Sequence, residues 1–230
     1  MKHIASAAFV SALLFAQSAS AVVVLTTDSS GYTGPQLDLS GYTGTGYNFT
    51  FGPELLPGGI TFTAAPGGGG NSGQGSVVGQ GSYGLGDNGS FGGDAVYIGV
   101  DSATGYAELT FSTLISSFGG FWNYFINGQG VLGDDPTIWA FDDFGGVLGE
   151  FNLLDLAAIS TPGGFNDFAF RGILSDAADI RTIRFGGSYI LLAGTADGSV
   201  PTSPVPVPAG GLLLIGALGG LAALRRRKAA

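Results

Sequence analysis

Between residues 22 and 200 no segment sustains a helical hydrophobic period with caps. Short β-prone runs recur instead, each closed by Gly, Asn, Asp or Pro. Tyr47-Asn48-Phe49-Thr50-Phe51 alternates apolar and polar. Ala107-Glu108-Leu109-Thr110-Phe111 does the same, with Ala107, Leu109 and Phe111 on one face and Glu108 and Thr110 on the other. Ile138–Phe141 and Val147–Phe151 flank Asp142-Asp143-Phe144-Gly145-Gly146, a hairpin signal with glycine where positive φ is needed. Val96–Val100, Phe121–Phe125 and Tyr189–Leu192 are apolar on both faces and suit central strands of a two-sheet sandwich. Only Asp155–Ile159 and Ser175–Asp179 read as helical turns. Residues 64–93 are dense in Gly, Ser and Asn and read as a flexible Gly/Ser-rich loop. Ser30-Gly31-Tyr32-Thr33-Gly34 recurs as Ser40-Gly41-Tyr42-Thr43-Gly44; two copies are too few for a solenoid and read as similar turns. The expectation is one all-β domain over residues 22–198, an antiparallel β-sandwich.

The side chains of that domain exclude most chemistry. Residues 22–200 hold no His, Lys or Cys, and 3 basic against 17 acidic residues give a formal charge of −14. A Cys nucleophile, a Ser-His-Asp triad, a Schiff-base lysine, a His-bearing metal site and a disulfide framework are all ruled out there. Strong acidity with three arginines also argues against nucleic acid as a partner.

Both flanks read as addresses. Lys2 and His3 precede an apolar stretch from Ile4 to Phe15. Ser18-Ala19-Ser20-Ala21 then supplies small residues at −3 and −1, so residues 1–21 read as a signal peptide cleaved between Ala21 and Val22. At the other end, residues 199–208 form a Pro-rich, extended spacer. Ala209 to Leu224 is wholly apolar, 16 residues or ~24 Å as a single hydrophobic helix, a little short for a stable span. Arg225, Arg226, Arg227 and Lys228 follow and orient that helix with its basic end in the cytoplasm, which leaves the β domain outside.

The sequence Val205-Pro206-Val207-Pro208-Ala209, the apolar helix and the basic cluster together resemble the PEP-CTERM class of bacterial sorting signals, over residues 205–230. The motif is similar to the VPLPA variant, with Val207 in place of Leu and two alanines after the basic cluster. The resemblance implies recognition by an exosortase, a membrane Cys protease/transpeptidase, in exopolysaccharide-producing Gram-negative bacteria. A plain tail anchor is the alternative. From about residue 94 to 195 the chain also resembles the extracellular domain of many PEP-CTERM proteins. The matching pieces are Val96–Val100, Phe118–Tyr124, Ser160–Gly164, Phe170–Ile173 and Gly187–Tyr189. That resemblance implies a jelly-roll-like sandwich of unassigned function and carries over no catalytic residue.

Other constellations are weaker. Gly79–Gly84 and Gly84–Gly89 match GxGxxG, but neither a preceding strand nor a following helix is expected to aim backbone N–H groups at a pyrophosphate. Asp143-Phe144-Gly145 spells a kinase motif with no catalytic loop or lysine to accompany it. Carboxylates are the remaining acid/base groups; the pairs Asp134/Asp135 and Asp142/Asp143 are adjacent, whereas a glycosidase needs carboxylates ~5–9.5 Å apart across the scissile bond. Asp134, Asp135 and Asp142 are the candidate ligands for a structural Ca²⁺. Trp122 and Trp139 are the candidate glycan-stacking rings, set against core packing for both and for Tyr97 and Tyr124. Arg171, among aromatics, reads as pairing with a carboxylate to lock a loop.

The lead expectation is an exported, non-enzymatic surface or extracellular-matrix protein, associated with exopolysaccharide or biofilm. It is held transiently in the inner membrane and then processed by an exosortase-like enzyme. A lectin-like glycan-binding module and a carboxylate-dependent glycoside hydrolase are the alternatives.

Overall fold

The structure is a computed structural model. It describes residues 22–194 apart from 30, 31, 33, 35, 66, 68–74 and 94. The chain forms two antiparallel sheets. From edge to edge the seven-stranded sheet runs β1 (Val23–Thr26), β15 (Ala169–Ser175), β10 (Ser117–Asn123), β17 (Leu191–Ala193), β8 (Val96–Val100), β5 (Ser76–Gln80) and β2 (Tyr47–Thr50). The six-stranded sheet runs β14 (Val147–Asn152), β13 (Thr137–Phe141), β16 (Ile180–Gly186), β9 (Tyr106–Ile115), β4 (Ile60–Ala65) and β3 (Glu54–Leu56). Two ribbons complete the strands, β6 (Tyr83–Gly84) with β7 (Ser90–Phe91) and β11 (Ile126–Asn127) with β12 (Gly130–Val131).

The alternating patterns set which faces meet. Ala107, Leu109 and Phe111 of β9 are buried, as are Ile183 and Phe185 of β16. They face Phe118 and Trp122 of β10 and Ile98 and Val100 of β8 in one apolar core. The ring centroids of Trp122 and Phe185 lie 5.1 Å apart, and those of Phe111 and Phe118 5.6 Å, so the two sheets interlock through aromatics. Each such ring contributes about 1.5–3 kcal/mol by leaving water. The strands apolar on both faces do occupy the centre: every residue of β8 is buried, β17 lies beside it and β10 lies on the far side of β17.

Two of the crossings between sheets share one corner. Only Ser116 separates β9 from β10, and Ser175 N–H donates to its carbonyl at 2.7 Å. The link from β15 to β16 turns at the same corner. Ser175 Oγ donates there to Asp179 Oδ1 at 2.9 Å, so Ser175–Asp179 is a bend rather than a helical turn. Among the described residues the one α-helical turn, α1 (Leu153–Leu156), starts two residues before the expected Asp155, because Asn152 Oδ1 caps it by accepting from Leu154 and Asp155 N–H. The hairpin of β13 and β14 forms where its turn residues place it, with Gly145 at φ 80°.

The described part of 64–93 is not a loop. Ser76–Gln80 is β5, an interior strand between β8 and β2. Residues 81–93 then fold back over the outer face of the same sheet. Tyr83, Leu85 and Phe91 are buried there against Val77, Tyr97 and Leu191 in a second apolar cluster. Five apolar side chains within that stretch (Val77, Val78, Tyr83, Leu85 and Phe91) are enough to hold it, because glycines between them let the backbone lie close to the sheet.

Candidate functional site

Trp139 sits on the outer face of the six-stranded sheet, not in the core. The strand registers set a row across five strands: Glu150, Trp139, Arg184, Glu108 and Thr63. Beside it runs a second row, Phe141, Thr182, Thr110, Thr61 and Leu55. Arg184 organises the first. Its Nε and Nη2 donate to Glu108 Oε1 at 2.8 and 2.6 Å. Its guanidinium carbon lies 4.2 Å from the centroid of Tyr106 and 4.7 Å from that of Phe141. The hydroxyls of Thr110 and Thr182 are 3.4 Å apart. Arg181 pairs with Asp143 at 2.6 Å and donates to Phe111 O. Two of the three arginines of this acidic domain are thus each paired with a carboxylate. The result around Arg184 is a polar, aromatic surface in which Glu108 is engaged and Glu150, beside Trp139, is exposed. Sequence reasoning identified the outward Glu108 and Thr110 but missed Arg184, because only strand register shows that it meets Glu108.

Trp122 is not available to a ligand. It is 1% exposed, and its indole N–H donates to Arg171 O at 3.1 Å. The same burial takes Tyr97 and Tyr124 into the interior. Of the two tryptophan candidates for glycan stacking, Trp122 is thus excluded by core packing and only Trp139 keeps partial exposure.

The three aspartates proposed for Ca²⁺ do not form one site. Asp135 precedes β13 and Asp142 follows it, so the strand itself holds them apart by ~20 Å at ~3.3 Å per residue. Asp142 Oδ1 instead accepts from Phe144 and Gly146 N–H at 2.8 and 2.6 Å, closing the hairpin. Asp135 Oδ2 accepts from Asn152 Nδ2 at 2.8 Å. Among the described residues no three His, Cys, Asp or Glu side chains converge as a metal centre.

Arg171 locks a loop, but through carbonyls rather than a carboxylate. Its Nε donates to Ala157 O at 2.7 Å, Nη1 to Phe170 O at 2.6 Å and Nη2 to Ala158 O at 2.8 Å. Burial lowers its pKa, yet guanidinium stays charged at any ordinary pH. The segment after α1 is thereby fixed under β15. A second buried polar network holds the next stretch. Asn88 Nδ2 donates to Tyr124 O and Ile159 O at 3.1 and 3.2 Å, and its Oδ1 accepts from Thr161 N–H at 3.0 Å. Asn123 Nδ2 donates to Thr161 Oγ1 and Asp167 O at 3.0 and 2.9 Å.

The GxGxxG matches have a structural origin. The strand β5 does run into Gly79, but the β6–β7 ribbon follows where a dinucleotide site needs a helix. Ala19, Ala21, the motif Val205–Ala209 and the cluster Arg225–Lys228 lie outside the described residues. Among the described residues no helix is long and apolar enough to cross a membrane. Val22 is described: its backbone nitrogen lies 3.1 Å from Asp176 Oδ1, and Asp176 N–H donates back to Val22 O at 3.3 Å. No protein-family model, no curated protein and no solved structure matches the chain.

Proposed function

We propose that this chain is an exported, non-enzymatic surface or matrix protein, sorted through residues 205–230 and processed by an exosortase-like enzyme. The β domain is read as a jelly roll. Strand order supports this: in chain order β8, β9, β10, β13, β14, β15, β16 and β17 pass from one sheet to the other at every step except the β13–β14 hairpin, giving neighbours β8-β17-β10-β15 in one and β9-β16-β13-β14 in the other. β5 and β2, β1, and β4 and β3 extend those two four-stranded units at their edges.

The observation that carries the export reading is at Val22. Cleavage after Ala21 turns its amide nitrogen into an ammonium group, 3.1 Å from the Asp176 carboxylate. The folded domain thus has a carboxylate in place for the new N-terminus, and β1 begins at the next residue. The reading of a non-catalytic body is supported by how its acids are used: Glu108 and Asp143 in ion pairs, Asp142 in a turn, and Asp101 accepting from Tyr83 at 2.7 Å.

The test separates sorting from anchoring. Pro206→Ala with Pro208→Ala is expected to leave a full-length, membrane-bound protein in the native host, because the extended spacer no longer fits a protease cleft. Removing residues 210–230 is expected to release the domain with no processing. Normal processing of the double variant contradicts the sorting reading.

A further inference from the structure

We propose that a groove on the outer face of the seven-stranded sheet binds an uncharged pyranose unit of a saccharide. The groove has a volume of about 390 Å³ and lies between the middle of β10, the end of β17 and the loop that precedes β15. That volume is in the lower part of the range for small-molecule sites. Its floor is Phe121, 39% exposed, whose ring is held edge-on to Phe170 at 5.6 Å. One wall is Phe168, fixed by stacking on Phe91 at 4.0 Å and 8°. The rings are therefore rigid before any ligand arrives, which suits the apolar C–H face of a sugar.

Around the rings stand three polar side chains with donors or acceptors not engaged within the fold. The Gln36 amide and the Asp167 carboxylate line the groove. Asn166 adds a third group. It sits at φ 57°, a conformation uncommon for a residue other than glycine. Its Oδ1 accepts from Gly92 N–H and its own N–H donates to Ser90 O, both at 2.9 Å, which fixes the side chain where it lines the groove. A conformation of this kind, held by two hydrogen bonds, marks a built lip. Two amides and a carboxylate together offer both donors and acceptors, the combination that vicinal hydroxyls require. By contrast, the arginine nearest Trp139, Arg184, is already engaged with Glu108.

Charge selects among saccharides. Among the described lining residues Asp167 is the one charged side chain, and residues 22–200 carry −14. A uronic-acid or sulfated unit would meet that carboxylate with no cation to compensate; a neutral hexose would not. Among the described lining residues a single carboxylate does not form the pair that a two-carboxylate hydrolysis uses, and the groove is proposed as a binding site. The groove owes nothing to how the chain termini are processed, so its failure and that of the sorting proposal are separate results.

The test is saturation-transfer NMR on the full-length protein, kept soluble in a zwitterionic detergent that has no sugar headgroup. The probes are cellotetraose, maltotetraose and mannotetraose, with trigalacturonic acid as the charged comparison. At least one neutral probe is expected to bind and trigalacturonate is not. Asp167→Ala, at an exposed position, and Gln36→Ala, at a half-buried one, should each weaken binding about tenfold, Asp167→Ala with unchanged melting temperature, and Trp139→Ala should leave binding unaltered. Silence from all three neutral probes overturns the proposal. So does preference for trigalacturonate, or loss of binding in Trp139→Ala with none in Asp167→Ala.

Discussion

Replacing Asn88 by Ala removes the hub that ties the 159–167 segment to the sandwich. The side chain is 3% exposed and makes three hydrogen bonds, all to backbone: Tyr124 O, Ile159 O and Thr161 N–H. Alanine leaves those groups buried and unpaired, each at a cost of about 1–3 kcal/mol, with a small cavity in addition. Allowing for partial relaxation, a loss of about 3–6 kcal/mol is expected, a large part of the 5–15 kcal/mol that holds an ordinary domain folded. Asn88→Asp should be at least as damaging, because it sets a carboxylate oxygen against two carbonyls. Asn88→Ser, short but polar, should recover part of the loss. Urea denaturation followed by tryptophan fluorescence reads all three, since Trp122 reports on the core. A loss below about 1 kcal/mol for Asn88→Ala would refute the claim that this network holds the segment.

Burial keeps the phenols of Tyr83, Tyr97 and Tyr32 well above their ordinary range, with the Asp101 bond adding to the effect at Tyr83. Below pH ~10 these phenols are protonated in both folded and unfolded chains; above it the unfolded chain releases protons that the folded one keeps, so stability should fall as pH rises further. Ultraviolet titration should show a group of tyrosines that ionise only together with unfolding, and smooth titration of all 8 tyrosines without unfolding would contradict the burial. The charge of −14 on residues 22–200 predicts a melting temperature that rises with NaCl, and CaCl₂ at equal ionic strength should add nothing because Asp134, Asp135 and Asp142 do not converge. A large extra rise in CaCl₂ would show a site that the strand geometry excludes. At Gly99 in β8 an added Cβ would run into Leu191 and the Ile190 carbonyl, so Gly99→Ala should cost about 1–3 kcal/mol in thermal unfolding; a neutral result would mean that β17 shifts freely.

Local pattern carried the class of fold and much of its detail. The alternation in 107–111, the hairpin around Asp142–Gly146 and the doubly apolar run at 96–100 each fold as their period requires. What local pattern could not show was which strands become neighbours. Residues 64–93 read as a loop because glycine dominates their average; the five apolar side chains that pin the stretch matter only once a sheet is there to receive them. Trp122 and Trp139 sit in similar runs, yet they fall on opposite faces of different sheets, a matter of strand parity that an apolar run on its own does not specify. Asp134, Asp135 and Asp142 look clustered in sequence, but an extended strand between them makes nearness in sequence a real distance. The groove was least legible of all: Gln36, Phe121 and Asp167 come from three distant parts of the chain and meet only in the folded sheet.

The export and sorting proposal predicts processing at both ends of the chain. Intact-mass spectrometry of the protein isolated from its own host decides it. The expected species begins at Val22, whose ammonium meets Asp176, and lacks Arg225 to Ala230. A species that still starts at Met1, or that keeps Arg225 to Ala230, contradicts the account.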